Sequence, residues 1–248
     1  MSTAIVITSG KGGTGKTSLT GGVGSCLAAL GHRVLCIDMD IGLRNLDLTL
    51  GLSDRALMDF TDVLEGRCTL ERAAVSHPDI RGLSLLTAPV NLPDAPLEEA
   101  AMRDLLRQAK AAYDFILMDS PAGLGEGFRL ACCGADRAVV VSTTDASALR
   151  DAQRTVALLR ERLPHIHLVV NRVQPRLLRR LHTTIDDAMD TAGLPLLGIV
   201  PEDPQVLLCA NQGRPLILQA SRGAATAYLN IARRLLGQRA PLMKLHAL

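Results

Sequence analysis

Short runs in which nearly every position is apolar alternate along this chain with longer stretches in which apolar residues recur every third or fourth position. The runs Ala4–Thr8, Val34–Ile37, Leu83–Leu86, Phe115–Met118, Ala138–Ser142, His167–Asn171 and Leu196–Val200 read as strands, most of them apolar on both faces. Strands of that kind, separated by helices, predict a mostly parallel sheet covered on both sides through right-handed crossovers. Ser18–Leu30, Leu97–Ala112, Ala146–Leu163, Thr184–Ala192 and Ala224–Leu236 carry the helical period. Gly31, Gly193 and Gly237 stand where three of these helices end. No linker or internal repeat interrupts the pattern. It predicts an α/β fold in a single domain over residues 1–237, followed by a short tail, 238–248.

Composition adds exclusions. A chain of 248 residues, 48% apolar and free of low-complexity tracts, can bury a sizeable core and is expected to fold. A net charge of +2, with two Tyr, three Phe and no Trp, gives no support to a nucleic-acid partner. There is no basic segment ahead of the first apolar run and no stretch of the roughly 18 to 20 apolar residues that spans a bilayer. A cytoplasmic protein is expected. Six cysteines without CxxC spacing read as buried thiols rather than as disulfides or metal ligands.

In open α/β sheets the ligand lies beyond the carboxyl ends of the strands. After the first strand comes TSGKGGTGKTS, in which Gly10 to Thr17 fits GxxxxGK followed by Ser or Thr, between a strand and a helix as the motif requires. Main-chain N–H groups of Gly10, Lys11, Gly12, Gly13, Thr14 and Gly15 are expected to turn onto phosphate oxygens, with Ser18 and the positive helix end completing the cradle. Lys16 would hold the β and γ phosphates of ATP, and Thr17 would offer its hydroxyl to Mg²⁺. Lys11 leaves the loop too early for that task. It is either solvated or a charge that crosses a dimer interface to the partner's nucleotide.

The second strand ends in DMDIGLRNLDLTLG, with Asp38 and Asp40 on the rim. Alternation is expected to turn both carboxylates one way, one supporting Mg²⁺ and the other orienting a water toward the γ-phosphate. The fourth ends in MDSPAGLG, where Asp119 stands in the Walker B position as a Mg²⁺ partner and Gly123 would bring an N–H to the γ-phosphate. Asn171 ends the sixth strand and Pro201 and Glu202 the seventh. An amide there either contacts adenine or caps a turn.

KGGTGKT resembles the deviant P-loop of the ParA and MinD ATPases. DIGLRNLDLTLG, DSPAG and PEDPQVLLCANQGRPLI are similar to the MinD branch, so the likeness runs in order to about Gly237. The resemblance implies an ATP-dependent homodimer in which Lys11 acts across the interface and Asp40 serves hydrolysis. It also implies division-site placement with a MinC-like inhibitor, a MinE-like or equivalent activator, and peripheral association with the inner membrane. MinD proteins usually end in a basic amphipathic helix. Here the tail has Leu242, Met243, Leu245 and Leu248 but a single lysine, Lys244, which makes a weak anchor at best. Two other readings share the deviant P-loop. A ParA-type DNA-partitioning or flagellar-number ATPase is opposed by the weak basicity and the MinD-like segments. An iron–sulfur carrier is suggested by Cys132 and Cys133 but lacks a second suitably placed cysteine. Arg172, Arg176, Arg179, Arg180 and His182 read as a solvated basic helix start.

Overall fold

The structure, a computed structural model, describes residues 2–93 and 96–244. Its strands are β1 (Thr3–Thr8), β2 (Val34–Asp38), β3 (Val75–Ser76), β4 (Leu83–Leu86), β5 (Phe115–Asp119), β6 (Arg137–Ser142), β7 (Ile166–Val173) and β8 (Leu196–Pro201). They form one sheet in the order β3-β4-β2-β5-β1-β6-β7-β8, parallel throughout except for the β3–β4 pair. The connection from β1 runs to β2 on one side of it, and the later connection from β5 crosses to β6 on the other side. The carboxyl end of β1 is therefore the topological switch point where such sheets bind ligands.

Eleven helices, counted among the described residues, cover the sheet. On one face lie α1 (Lys16–Ala29), α2 (Asn45–Leu50), α10 (Pro204–Asn211) and α11 (Ala224–Leu235). The other face carries α3 (Phe60–Leu64), α4 (Leu70–Ala73), α5 (Glu99–Ala112), α6 (Glu126–Cys132), α7 (Ala146–Arg160) and α9 (Ile185–Ala192), with Leu178 of α8 (Pro175–Leu181) reaching the same layer. Strand residues alternate between the two layers: Val6, Ile116 and Val140 face one, Ile5, Leu117 and Val139 the other. Burial on both faces is why these strands read as continuous apolar runs.

β4 coincides with its predicted run, the other predicted strands extend past theirs by one or two residues at one or both ends, and β3 is an added antiparallel edge. The helices begin or end slightly earlier or later than expected. α7 stops at Arg160, a few residues short of Leu163, where the following Pro164 disfavours the helical region. α2, α3, α4, α6 and α10 lie outside the predicted helices, whereas α8 falls within the stretch read as a solvated basic helix start. Among the described residues, no helix is long and apolar enough to cross a membrane. Of the tail, Leu242 is exposed and Met243 packs against both apolar layers. Leu245 and Leu248 lie outside the described residues.

Candidate nucleotide site

The carboxyl ends of β1, β2, β7 and β8 open onto a cleft of about 650 Å³. Its floor is the loop that joins β1 to α1. Gly15 is the N-cap of α1 with φ 90°, and a Cβ there would lie 2.2 Å from Nδ2 of Asn171, so both the backbone conformation and the space demand glycine. Among the described residues, the N–H groups from Gly12 through Ser18 have no hydrogen-bond acceptor. Main-chain donors of this kind at a helix N-terminus are suited to an anion with several oxygens. Lys16 is only 8% exposed and projects among them. Burial pushes its ammonium below the ordinary lysine range, and the carboxylates of Asp119 and Asp40 partly restore it. A buried lysine between two carboxylates and a row of free N–H donors fits a nucleotide polyphosphate with its divalent cation.

Asp119 ends β5 fully buried, and its Oδ1 accepts a hydrogen bond from the Thr20 hydroxyl at 3.1 Å. Burial is the main cause that raises its carboxyl above the usual range. The neighbouring Asp38 adds to this, while Thr17, Lys16 and Thr20 oppose it. Asp38 stands directly beside it in the sheet register. The expectation that Asp38 and Asp40 present their carboxylates alike is corrected here. Asp40 lines the cleft near Lys16, whereas Asp38 is turned inward and spends both oxygens on main chain. Its Oδ1 accepts from the Asp40 N–H at 2.9 Å and its Oδ2 from the Leu46 N–H at 3.0 Å. Asp38 thus pins the segment that carries Asp40. Burial also raises the Asp40 carboxyl, against the nearby Lys16 charge.

At the far end, Asn171 donates through Nδ2 to the Thr14 carbonyl at 2.8 Å, which leaves its Oδ1 for the cleft. Pro201 and Glu202 line the same space. Arg172, assigned from sequence to a solvated basic helix start, is instead part of the rim. Its Nε donates to Glu202 at 2.8 Å and its Nη1 to the Gly13 carbonyl at 3.3 Å. Its φ of 53° is uncommon for a side chain that is not glycine. The carbonyls of Gly13 and Thr14 are thereby tied to the end of β7. The cleft also takes in Asn45, Ala122, Asp203 and Tyr228, which the motifs did not single out.

Lys11 lies outside this cleft. Its Nζ is 2.8 Å from Oγ of Ser147 and 3.3 Å from Oδ1 of Asp145, the N-cap of α7 in the same chain. Burial acts to raise the Asp145 carboxyl, but hydrogen bonds from Ser147, Thr143, the Ala148 N–H and Lys11 outweigh it and hold the group below the usual carboxylate range. Gly10, Thr14 and Gly123 are not cleft-lining residues either. A Cβ on Gly10 would lie 2.4 Å from the Asp151 carbonyl oxygen, so this glycine lets α7 approach the loop. Thr14 is buried with its hydroxyl unpartnered among the described residues, and Ala122 rather than Gly123 reaches the cleft. Cys132 and Cys133 are buried, and burial pushes their thiols to about 12 and about 11.

A family model described as the CobQ/CobB/MinD/ParA nucleotide binding domain matches residues 5–216. The septum site-determining protein MinD of Bacillus subtilis is 41% identical over 249 aligned residues, 99% of this chain and 93% of that protein. The MinC:MinD cell division protein complex of Aquifex aeolicus superposes with a TM-score of 0.91 at 39% identity, covering 98% of this chain and 99% of that one. MinD of Pyrococcus horikoshii, solved in complex with Mg-ADP, gives a TM-score of 0.82 at 30% identity over 95% of this chain and 96% of its own.

Proposed function

We propose, from the premise that this chain belongs to the septum-site-determining MinD family within the CobQ/CobB/MinD/ParA nucleotide-binding group, that it is an ATP-hydrolysing switch in division-site placement. ATP assembles a homodimer, the dimer recruits a MinC-like division inhibitor at the membrane, and hydrolysis resets it. A MinE-like or equivalent activator would trigger that reset. The observation that carries the ATPase reading is the run of unpaired N–H groups from Gly12 to Ser18 around the buried Lys16, with Asp40 beside it.

Phosphoryl transfer to water needs positioning and charge neutralisation more than covalent chemistry. The loop N–H groups and Lys16 would bind the β and γ phosphates. Thr17 and Asp119 would hold Mg²⁺, which would supply charge neutralisation at those phosphates. Asp40 would orient the attacking water, its main chain already fixed by Asp38. Asn171 and the Pro201–Glu202 turn would face the base. Lys11 would act in trans. Its ion pair with Asp145 joins side chains 45% and 51% exposed, and such a pair is worth little in water, so a partner's phosphate can draw it away. The complex of MinC with MinD from Aquifex aeolicus supports the inhibitor as partner.

Fluorescent-nucleotide binding and light scattering in ATP test this reading. Lys16→Ala is expected to lose nucleotide, Lys11→Ala to bind it without dimerising, and Asp40→Ala to accumulate as an ATP dimer. A monomeric Asp40→Ala protein in saturating ATP would overturn the assignment of Asp40.

A further inference from the structure

α2 and α10 pack against each other, and both line the nucleotide cleft, through Asn45, Leu48 and Thr49 on the one and Val206, Leu207 and Ala210 on the other. Their far ends meet again outside it. Gly51 caps α2 with φ 69°, and a Cβ there would overlap the carbonyl oxygen of Gly213, so the main chain after α2 lies directly against the turn after α10. At that contact is a groove of about 460 Å³ lined by Arg55 from the segment after α2 and by Arg214 from the turn after α10. The main chain of each arginine is fixed, because the Arg55 N–H donates to the Leu52 carbonyl and the Arg214 N–H to the Cys209 carbonyl, both at 3.0 Å. Their guanidinium groups are not committed. Neither forms an ion pair or a side-chain hydrogen bond among the described residues, although Asp79 lines the same groove. His77 is the buried wall and is neutral. Its Nδ1 accepts the N–H groups of Asp79 and Ile80, so Nε2 carries the proton and donates to the Leu50 carbonyl at 3.1 Å.

A guanidinium presents a fixed fork of N–H donors that matches an oxyanion, and two uncommitted forks on one groove favour a ligand with several oxygens. A carboxylate in the same groove repels a fully ionised anion but accepts a hydrogen bond from one that keeps a proton. We propose that this groove is a second anion site, which takes a phosphate group that retains a proton, as inorganic phosphate or a phosphomonoester. Arg55 and Arg214 hold its oxygens, and its O–H donates to Asp79. Sulfate, which carries no proton near neutral pH, meets the Asp79 charge with nothing to donate. A ligand held by both arginines ties the segment after α2 to the turn after α10. The first turn of α2 is in turn held by Asp38 through the Leu46 N–H, and the other oxygen of Asp38 holds the Asp40 N–H. The tie therefore reaches the cleft through the helices that line it. This regulatory part rests on the ATPase reading above: phosphate in the groove tightens nucleotide binding, and nucleotide tightens phosphate binding by the same factor.

The test is titration calorimetry on the full chain saturated with β,γ-imido-ATP and Mg²⁺, which fills the phosphate loop, at constant ionic strength and about pH 6.5, where a phosphate group is still partly protonated. Inorganic phosphate is expected to bind at one site, and sulfate about 10-fold more weakly or not at all. Arg55→Gln and Arg214→Gln should each weaken phosphate by about 10-fold at an unchanged melting temperature, and Asp79→Asn should bring sulfate level with phosphate. Arg176→Gln/Arg180→Gln, which removes charge from α8 in the layer on the other face, should bind phosphate as the unmodified protein does. Uptake of glycerol 3-phosphate as well would extend the site to monoesters. No phosphate uptake by the nucleotide-loaded protein, or equal loss in the α8 pair, would overturn the site. The coupling is read by titrating the analogue with and without phosphate: about fivefold tighter binding is expected, lost in Arg214→Gln. Phosphate binding without that gain would overturn the coupling. A chain that bound no nucleotide would overturn the function proposed above, and phosphate titration of the free protein would then decide the groove.

Discussion

Gly10 belongs to the phosphate-loop motif by spacing, yet its requirement for glycine comes from a helix behind the loop. Gly10→Ala places a methyl 2.4 Å from the Asp151 carbonyl oxygen and 2.6 Å from its carbon. Restoring an ordinary contact of roughly 3.4 Å moves the loop and the first turns of α7 apart by about 1 Å. That carbonyl also accepts the Thr155 hydroxyl at 2.8 Å, so the helix cannot yield there without loosening a second contact. Overpacking of this kind costs about 1–3 kcal/mol, which for a domain of this size lowers the melting temperature by about 2–12 °C. Two neighbouring glycines separate packing from conformation. A Cβ on Gly12 meets nothing nearer than 3.9 Å, so Gly12→Ala is expected to stay within about 0.5 kcal/mol of the unmodified protein. Gly13 has open space but a φ of +79°, and alanine there costs about 1–2 kcal/mol from the left-handed conformation alone. Scanning calorimetry of the nucleotide-free proteins reads all three. If Gly10→Ala melted together with Gly12→Ala, the close approach of α7 would not be what selects glycine.

Asn171→Ala removes the donor to the Thr14 carbonyl and is expected to cost about 1–2 kcal/mol of stability, with several-fold weaker ATP binding by titration calorimetry; undiminished affinity would take Asn171 out of the nucleotide site. His77 is buried, its Nδ1 accepting the N–H groups of Asp79 and Ile80 while Nε2 contacts the Leu50 carbonyl at the end of α2. Burial first, with Arg55, lowers its pKa against the Leu50 and Asp79 contributions, so its stabilisation is complete above the unfolded value near 6.5 and is lost as pH falls through the lower folded value. The melting temperature is therefore expected to drop from pH 7.5 toward pH 5 (~2.5 units) by more than it does in His77→Ala, and parallel pH profiles for the two proteins would assign the drop to other groups.

How much of this site was legible in the sequence depends on whether a residue acts through its local pattern or through a distant neighbour. β1, the glycine-rich loop and α1 were readable because an apolar run, Gly15, Lys16 and Thr17 are adjacent, and adjacency is what a motif encodes. Asp40 and Asp119 were readable as acidic residues at strand ends. Asp38 was placed on the cleft by alternation, which does not show that two N–H groups of the following turn would take both its oxygens. Arg172 was grouped with the arginines that follow it, since composition carries no sign of a φ of 53° or of a partner at Glu202. Two of the short helices carry a further signal in the sequence. Pro175 in α8 and Pro204 in α10 each occupy the first turn, and Asp203 before Pro204 caps α10 by accepting the Gln205 N–H.

These contacts distribute the cost of the proposed cycle unevenly. The carbonyls of Gly13 and Thr14 are held from β7, Asp40 is held through Asp38, and Lys16 is already buried among the loop donors, so the cleft is organised before any phosphate arrives. Binding to a site whose polar groups are already aimed spends little on ordering. Lys11 is the exception: the charge proposed to reach the partner's nucleotide is tied to Asp145 and Ser147 of its own subunit and would have to change partners. The monomer is therefore built to take ATP readily, and the step that demands rearrangement is dimer assembly. A switch arranged in this way is controlled by the meeting of two loaded subunits, because that is where the remaining unsatisfied work lies.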